Sequence, residues 1–140
     1  MNNVSSKSAI ETLVAAWNSG DINRIAACYA DNTRVVHPMA GTLDGRAAVK
    51  AFESGMFDAF SELDWKAVKV IERGDEVALE FCVKALNSKP MATPKGQLPA
   101  TNKRIVVNGC SVLKLSPKGE IVEEHRYLDT GSLFMQLGLA

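Results

Sequence analysis

Apolar residues recur at helical spacing through the first part of the chain and at strand spacing through the rest. Ile10, Leu13, Val14 and Trp17 fall at i, i+3, i+4 and i+7, which stacks them on one side of a helix with 3.6 residues per turn. This spacing predicts a helix over residues 8–18, with Ser8 and Glu11 at capping-box separation to satisfy its first amide donors. Gly20 stops it, and Asp21 caps a second segment in which Ile22, Ile25, Ala26 and Tyr29 repeat the stripe. Residues 33–38 read as a short strand, because Pro38 holds His37 extended and ends the pairing. A loop containing Gly41 and Gly45 leads to a third helical stripe, Val49, Phe52, Met56 and Phe60, over residues 46–60.

Beyond residue 62 the period changes to two. Residues 63–72 and 76–86 predict strands around a Gly74-Asp75 turn, with Val77, Leu79, Phe81 and Val83 alternating with polar or smaller neighbours. Residues 103–115 and 121–129 predict two more, joined by the turn-forming run 116–120. The segment 87–101, with Pro90, Pro94, Pro99, Gly96, Lys89 and Lys95, reads as a loop or extended hairpin end that covers a site. A short helix over 132–137 closes the chain. Helices first and a strand meander second predict an α+β fold, with three helices on one face of an antiparallel sheet. A strongly twisted sheet around helices leaves a hollow, where small molecules bind.

Composition narrows the partners. The 140 residues carry 16 basic and 16 acidic side chains, a length suited to one domain over 1–140. Zero net charge argues against nucleic acid and gives no attraction to anionic lipid. No run approaches the roughly 18 apolar residues of a membrane span, and residues 1–8 do not resemble a secretion signal. Cys28, Cys82 and Cys110 are scattered, without metal-ligand or disulfide spacing, as expected of small hydrophobes in a reducing cytoplasm. No phosphate-binding loop, dinucleotide fingerprint, nucleophile elbow or metal triad is present. Any chemistry is therefore expected to need neither cofactor nor metal.

The densest polar cluster on a strand is Glu124-His125-Arg126. Alternation places Glu124 and Arg126 on one face, and Glu123, His125 and Tyr127 on the other; this leaves open which face turns inward. A buried Glu124 and Arg126 would pair, since an unpaired buried charge costs several kcal/mol. Arg126 could also grip a carboxylate or stabilise an enolate with its planar fork. Asn108 and Ser111, within an apolar strand, need partners if buried and are pocket candidates. Trp17, Tyr29, Phe52, Met56 and Trp65 are expected in the core or pocket wall, and Asp129 or Thr130 at the cap of the last helix.

Several ordered strings resemble the nuclear-transport-factor-2-like superfamily and, within it, the SnoaL-like polyketide cyclases. They are Ala16-Trp17-Asn18-Ser19-Gly20-Asp21, Val36-His37-Pro38, Gly45-Arg46, Glu123-Glu124-His125-Arg126-Tyr127-Leu128-Asp129, and Gln136-Leu137-Gly138. The resemblance implies a cone-shaped α+β barrel, with three N-terminal helices packed in the concave face of a strongly curved antiparallel or mixed sheet and a short C-terminal helix. It also implies an apolar pocket for a hydrophobic small molecule, a homodimer, and proton transfer next to a carbonyl: isomerisation, aldol-type cyclisation or dehydration. The related ketosteroid isomerases place their general base at the position of His37, and histidine is suited to that role near neutral pH. Their two oxyanion donors fall at Leu13 and at or near Ser111. The cyclases' acid falls at Arg126, or at Tyr127 one residue on, and its assistants fall near Ser111 and Gly109. Neither constellation is retained. The expected machinery is His37 as base, Arg126 with Asn108 stabilising the developing oxyanion, and Glu124 as the third catalytic residue. His125 joins the pocket if the odd-numbered face turns inward. The alternative is a non-catalytic binding or dimerisation module.

Overall fold

A computed structural model describes residues 4–93 and 96–139. Helix α1 (Ser6–Ser19) begins earlier than the Ser8–Glu11 spacing predicts. Ser5 is its cap, with a side-chain oxygen that accepts from the Ser8 amide at 3.1 Å, so Ser8 supplies the third helical amide instead of the hydroxyl that satisfies it. Gly20 closes the helix at φ 69°, a left-handed conformation that favours glycine. Asp21 then caps α2 (Ile22–Ala27), accepting from the Asn23 amide at 2.9 Å.

Tyr29 corrects the second predicted stripe. It is the first residue of strand β1 (Tyr29–His37) and not the last apolar position of a helix. The Cys28 carbonyl accepts from the Ile121 amide at 2.8 Å, and Tyr29 stands opposite Ile121. Pairing with the last strand thus ends a helix too short to hold its own terminus. The region predicted as a loop after Pro38 contains strand β2 (Gly41–Asp44), paired antiparallel to β1 from His37↔Gly41 to Arg34↔Asp44. Gly45, at φ 92°, turns the chain into α3 (Arg46–Ala59). Arg46 fixes that turn by bonding the Tyr29 carbonyl at 2.8 Å and Asp31 at 2.7 Å.

The remaining elements are β3 (Phe60–Arg73), β4 (Glu76–Asn87), β5 (Met91–Thr93), β6 (Gly96–Leu98), β7 (Arg104–Leu115), β8 (Ile121–Leu128) and α4 (Thr130–Leu137). The main sheet runs β2-β1-β8-β7-β4-β3. Only β1 and β8 pair in parallel, so the curved sheet is mixed. The proline-rich segment carries the separate β5–β6 hairpin, and Pro94 and Lys95 lie outside the described residues. Buried Asn87 ties this segment down: its amide donates to the Ala59 and Lys89 carbonyls at 3.1 Å, and its oxygen accepts from the Thr101 amide and hydroxyl at 2.9 Å.

Two side-chain amides dock helices onto open strand backbone. Asn18, at the end of α1, exchanges a pair of hydrogen bonds with the backbone of Trp65, at 2.7 and 2.8 Å. Gln136, on α4, does the same with Val106 at 2.7 and 2.8 Å, beyond the point where β8 leaves β7 at Gly109↔Leu128. Each amide supplies the donor and acceptor that a neighbouring strand would otherwise provide. The inner face of the sheet divides into two apolar clusters. One is centred on Leu13, Ile25, Val35, Trp65 and Leu79, and the other on Met91, Ile105, Val107 and Leu133.

At Gly109 the strands approach closely. An added Cβ would lie 2.6 Å from Phe81 Cζ, 2.7 Å from Leu128 Cδ2 and 2.8 Å from the Tyr127 carbonyl oxygen. Gly109→Ala is therefore expected to destabilise the protein by about 1–3 kcal/mol, the usual cost of overpacking. A urea-unfolding midpoint equal to that of wild type would refute this.

Candidate functional site

The two apolar clusters border a cavity of about 120 Å³ between the helices and the concave face of the sheet. For scale, a dry cavity of about 150 Å³ accommodates a benzene ring. Its most ordered feature is a run of near-parallel rings. Trp17 stacks on Phe57 at 5.3 Å and on Trp65 at 6.2 Å, and Trp65 on Phe81 at 4.9 Å, with interplanar angles of 27°, 11° and 18°. The Asn18–Trp65 backbone bonds hold the two tryptophans face to face. Apart from the indole N–H groups of Trp17 and Trp65, the cavity's side-chain polar groups belong to six residues, Tyr29, His37, Glu53, Ser111, Glu124 and Arg126.

Five of these six form one buried network around the Arg126 guanidinium. Nε donates to Glu124 Oε2 at 2.8 Å, and Nη2 to Glu124 Oε1 at 3.3 Å and to the Tyr29 hydroxyl at 3.2 Å. Nη1 donates to Glu53 Oε1 at 2.7 Å. The Tyr29 and Ser111 hydroxyls donate in turn to Glu124, at 2.6 and 2.7 Å. The guanidinium also lies over the Trp17 ring, 5.4 Å from its centroid, in cation–π range.

Glu124 is saturated, since each of its oxygens accepts two hydrogen bonds. Burial pushes its carboxyl up, but the Arg126 charge and the donors around it outweigh burial and hold it below the ordinary glutamate value. Glu53 has one bond. Burial dominates there, only partly opposed by Arg126 and reinforced by the Glu124 charge, and its carboxyl is raised. The two carboxyls are thus driven apart by their surroundings. Tyr29 is pushed well above its usual range, first by burial and then by Glu124, and stays a neutral donor. Arg126 is raised: its two carboxylate partners overcome the burial that works against its charge.

His37 stands apart. It is 4% exposed and packs on Phe52, with ring centroids 4.6 Å apart. Its Nδ1 accepts from the Met39 amide at 3.0 Å. A backbone N–H can only donate, so in the neutral ring the proton sits on Nε2. Burial, followed by the nearby Arg126 charge, lowers His37 to about 3, against a smaller opposing pull from Glu124. Protonation would also abolish the bond from Met39. The ring is therefore a neutral N–H donor at pH 7.

A sequence model of the SnoaL-like domain matches residues 10–124. The chain belongs to the SnoaL-like family. Among curated proteins no sequence match is found. Solved structures share the fold. A ketosteroid-isomerase-like protein from Catenulispora acidiphila, in complex with trimethylamine, superposes with a TM-score of 0.79 at 18% identity, covering 97% of this chain and 96% of that one. TerC, co-crystallised with polyporic acid, gives 0.73 at 18%, covering 95% and 98%. SalBIII, an epoxide hydrolase/cyclase-like enzyme of pyran ring formation in salinomycin, gives 0.72 at 19%, covering 91% and 92%.

In this SnoaL-like protein the even-numbered face of β8 turns inward, bringing Glu124 and Arg126 to the cavity with Trp17, Tyr29, Met56, Trp65 and Ser111. Two expected pocket residues are elsewhere. His125 lies on the outer face, bonded to Glu123 at 3.0 Å. Asn108 is exposed there too, because β7 alternation buries Val107 and exposes its neighbour. Phe52 supports His37 from behind and does not line the cavity. Leu13, at the position of an isomerase oxyanion donor, contributes only an apolar wall.

Glu53 is the group that the sequence reading missed. It is buried on α3, four residues after Val49 and three before Met56. A carboxylate on the apolar stripe of a helix was the available signal. Among the described residues, no group of three or more His, Cys, Asp or Glu side chains is arranged to hold a metal. No described helix is long and apolar enough to cross a membrane.

The depressed His37 value sets a pH dependence. The unfolded chain takes up a proton near 6.5, whereas the folded one does so only near 3. Between these limits the unfolded state binds more protons, so stability falls as pH is lowered through this window. Lowering the pH from 6.5 to 4.5 is expected to cost wild type about 2 kcal/mol more than His37→Gln. Urea titrations of both proteins at the two pH values measure it, and parallel losses would sink the assignment of a neutral ring.

Proposed function

We propose that this protein is a cofactor-free acid–base enzyme acting on a small, hydrophobic, planar carbonyl compound. The chain is read as a single SnoaL-like unit. The observation that carries this reading is a carboxylate–guanidinium–carboxylate cluster, with the neutral His37 N–H beside it, set in the wall of an otherwise apolar, ring-lined cavity. Such a cavity selects a flat apolar ligand by stacking. Four N–H contacts of Arg126 are used within the protein, which leaves one of its five hydrogens on Nη1. That hydrogen and His37 Nε2–H are the donors that would hold a developing enolate oxygen. Proton transfer next to the carbonyl then leads to isomerisation, cyclisation or dehydration; the fold relative SalBIII is an epoxide hydrolase/cyclase-like enzyme of ring formation.

The second reading is a non-catalytic binding module. It is favoured by the saturation of Glu124 and near-saturation of Arg126, which make that pair an internal support. One experiment separates the two. Incubated with 2-cyclopentenone, a flat ring smaller than benzene, in deuterium oxide, wild type should accelerate deuterium uptake at the carbon beside the carbonyl. His37→Leu should slow that uptake by about 10²-fold, the effect of removing one oxyanion donor. Binding without exchange selects the module, and neither binding nor exchange overturns both readings.

The reading includes a reducing cytoplasm, supported by the three free thiols, and a homodimer formed through the outer face of the sheet. There Ile71, Val112 and Tyr127 are exposed, beside a row in which Glu123, Lys114, Glu76 and Arg73 alternate in sign. A two-fold partner can match such a row charge for charge. Light scattering should give twice the mass of one chain for wild type and a single chain for Val112→Glu; a monomeric wild type removes the dimer.

A further inference from the structure

We propose that Glu53 is the group that takes the proton from the substrate and returns it. This inference rests on the acid–base reading above and names the residue that performs it. Glu53 lines the cavity from α3. Its Oε1 accepts from Arg126 Nη1 at 2.7 Å, and its Oε2 has no hydrogen-bond partner among the described residues.

The remaining groups exclude themselves one by one. The charged or titratable side chains that share the cavity with Glu53 are Glu124 and Arg126 from β8, and Tyr29 and His37 from β1. Glu124 has no free lone pair in the plane of its carboxylate, since four donors occupy its two oxygens. The Tyr29 proton is held by Glu124 at 2.6 Å. His37 Nδ1 is occupied by the Met39 amide and its Nε2 already carries a proton. Arg126 does not deprotonate. Charge counting leads to the same residue. Two buried carboxyls share one guanidinium, so the cluster either carries an excess negative charge or holds one proton. Hydrogen bonds to the ionised form keep a carboxylate ionised. Glu124 accepts four and Glu53 one, so the exchangeable proton belongs to Glu53.

The step balances within the pocket. The Glu53 carboxylate takes a proton from the carbon next to the carbonyl. The C–H electron pair becomes the carbon–carbon π bond of the enolate, and the carbonyl π pair moves onto oxygen, held by His37 Nε2–H and the remaining Nη1 hydrogen of Arg126. The carboxylic acid then returns the proton to that carbon or to a conjugated one. Neither oxidant nor reductant enters, and the protein ends as it began. Glu53, moored at one oxygen to Arg126, keeps the other for the substrate.

Two measurements test this. The first needs no ligand: wild type and Glu53→Gln, labelled with ¹³C at the glutamate carboxyl carbon, are titrated by NMR. The signal missing from Glu53→Gln should have a midpoint above the ordinary glutamate value of about 4.3. A midpoint at or below that value overturns the proposal. The second is deuterium exchange into 2-cyclopentenone. Its rate in wild type should rise with pH through the same midpoint and fall at least 100-fold in Glu53→Gln, with cyclopentenone binding kept. Glu53→Asp, which withdraws the carboxyl by one methylene, should retain a titrating signal yet exchange more slowly; it serves if the glutamine variant does not fold. Undiminished exchange in these variants overturns the role of Glu53 and leaves the acid–base reading standing. No exchange by wild type overturns both.

Discussion

A guanidinium buried inside a protein must be matched, and the way Arg126 is matched governs the rest of this structure. Removing such an ion from water costs several kcal/mol, recovered only when its hydrogens and charge are met at close range. Here the match draws on four elements: Tyr29 at the start of β1, Glu53 in the middle of α3, Ser111 on β7 and Glu124 on β8 itself. Those contacts fix the rotation of α3 against the sheet and the inward face of β8. They also hold the parallel pair β1–β8 in register, since Tyr29 stands opposite Ile121 on one side and reaches Glu124 on the other. The network is thus at once a joint between helix and sheet and the polar part of the cavity.

Its asymmetry sets the electrostatics of the cavity. Glu124, surrounded by donors, is held below the ordinary glutamate value, whereas Glu53, as deeply buried but singly bonded, is raised. A low local dielectric strengthens every interaction inside the cavity and raises the cost of any group left unpaired. The same burial that raises the Glu53 carboxyl lowers the His37 ring and leaves it neutral. Around these groups the stacked rings of Phe57, Trp17, Trp65 and Phe81 form a flat wall, aligned by the Asn18 amide.

Much of the fold was legible because its causes are local. Asp21 and Asp129 cap helices as their chemistry suggests, and the alternation in β4, β7 and β8 appears in the burial of those strands. Where the reading failed, a distant partner had decided the outcome. Tyr29 continues a helical stripe in sequence but is drawn into a strand by Ile121, more than ninety positions away. The short β2 has no apolar alternation of its own and exists because β1 offers it an edge. The candidate site divides the same way: Arg126 and Glu124 were legible as a pair two residues apart on one strand. His125 and Asn108 were not placed, because a one-residue change of register exchanges the faces.

The sequence by itself determined the order of helices and strands, the stripe that each would bury, and a Glu124–Arg126 pair on a common face. These follow from periodicity and side-chain chemistry, which act over a few residues. The tertiary structure decided which face of β8 was inside, which imidazole nitrogen bore the proton, and that Glu53 would share the guanidinium with Glu124. Those outcomes depend on burial and on contacts between residues 73 positions apart. A carboxylate on the apolar stripe of α3 shows in the sequence as an irregularity, and only the packing of that helix against β8 makes it a partner of Arg126.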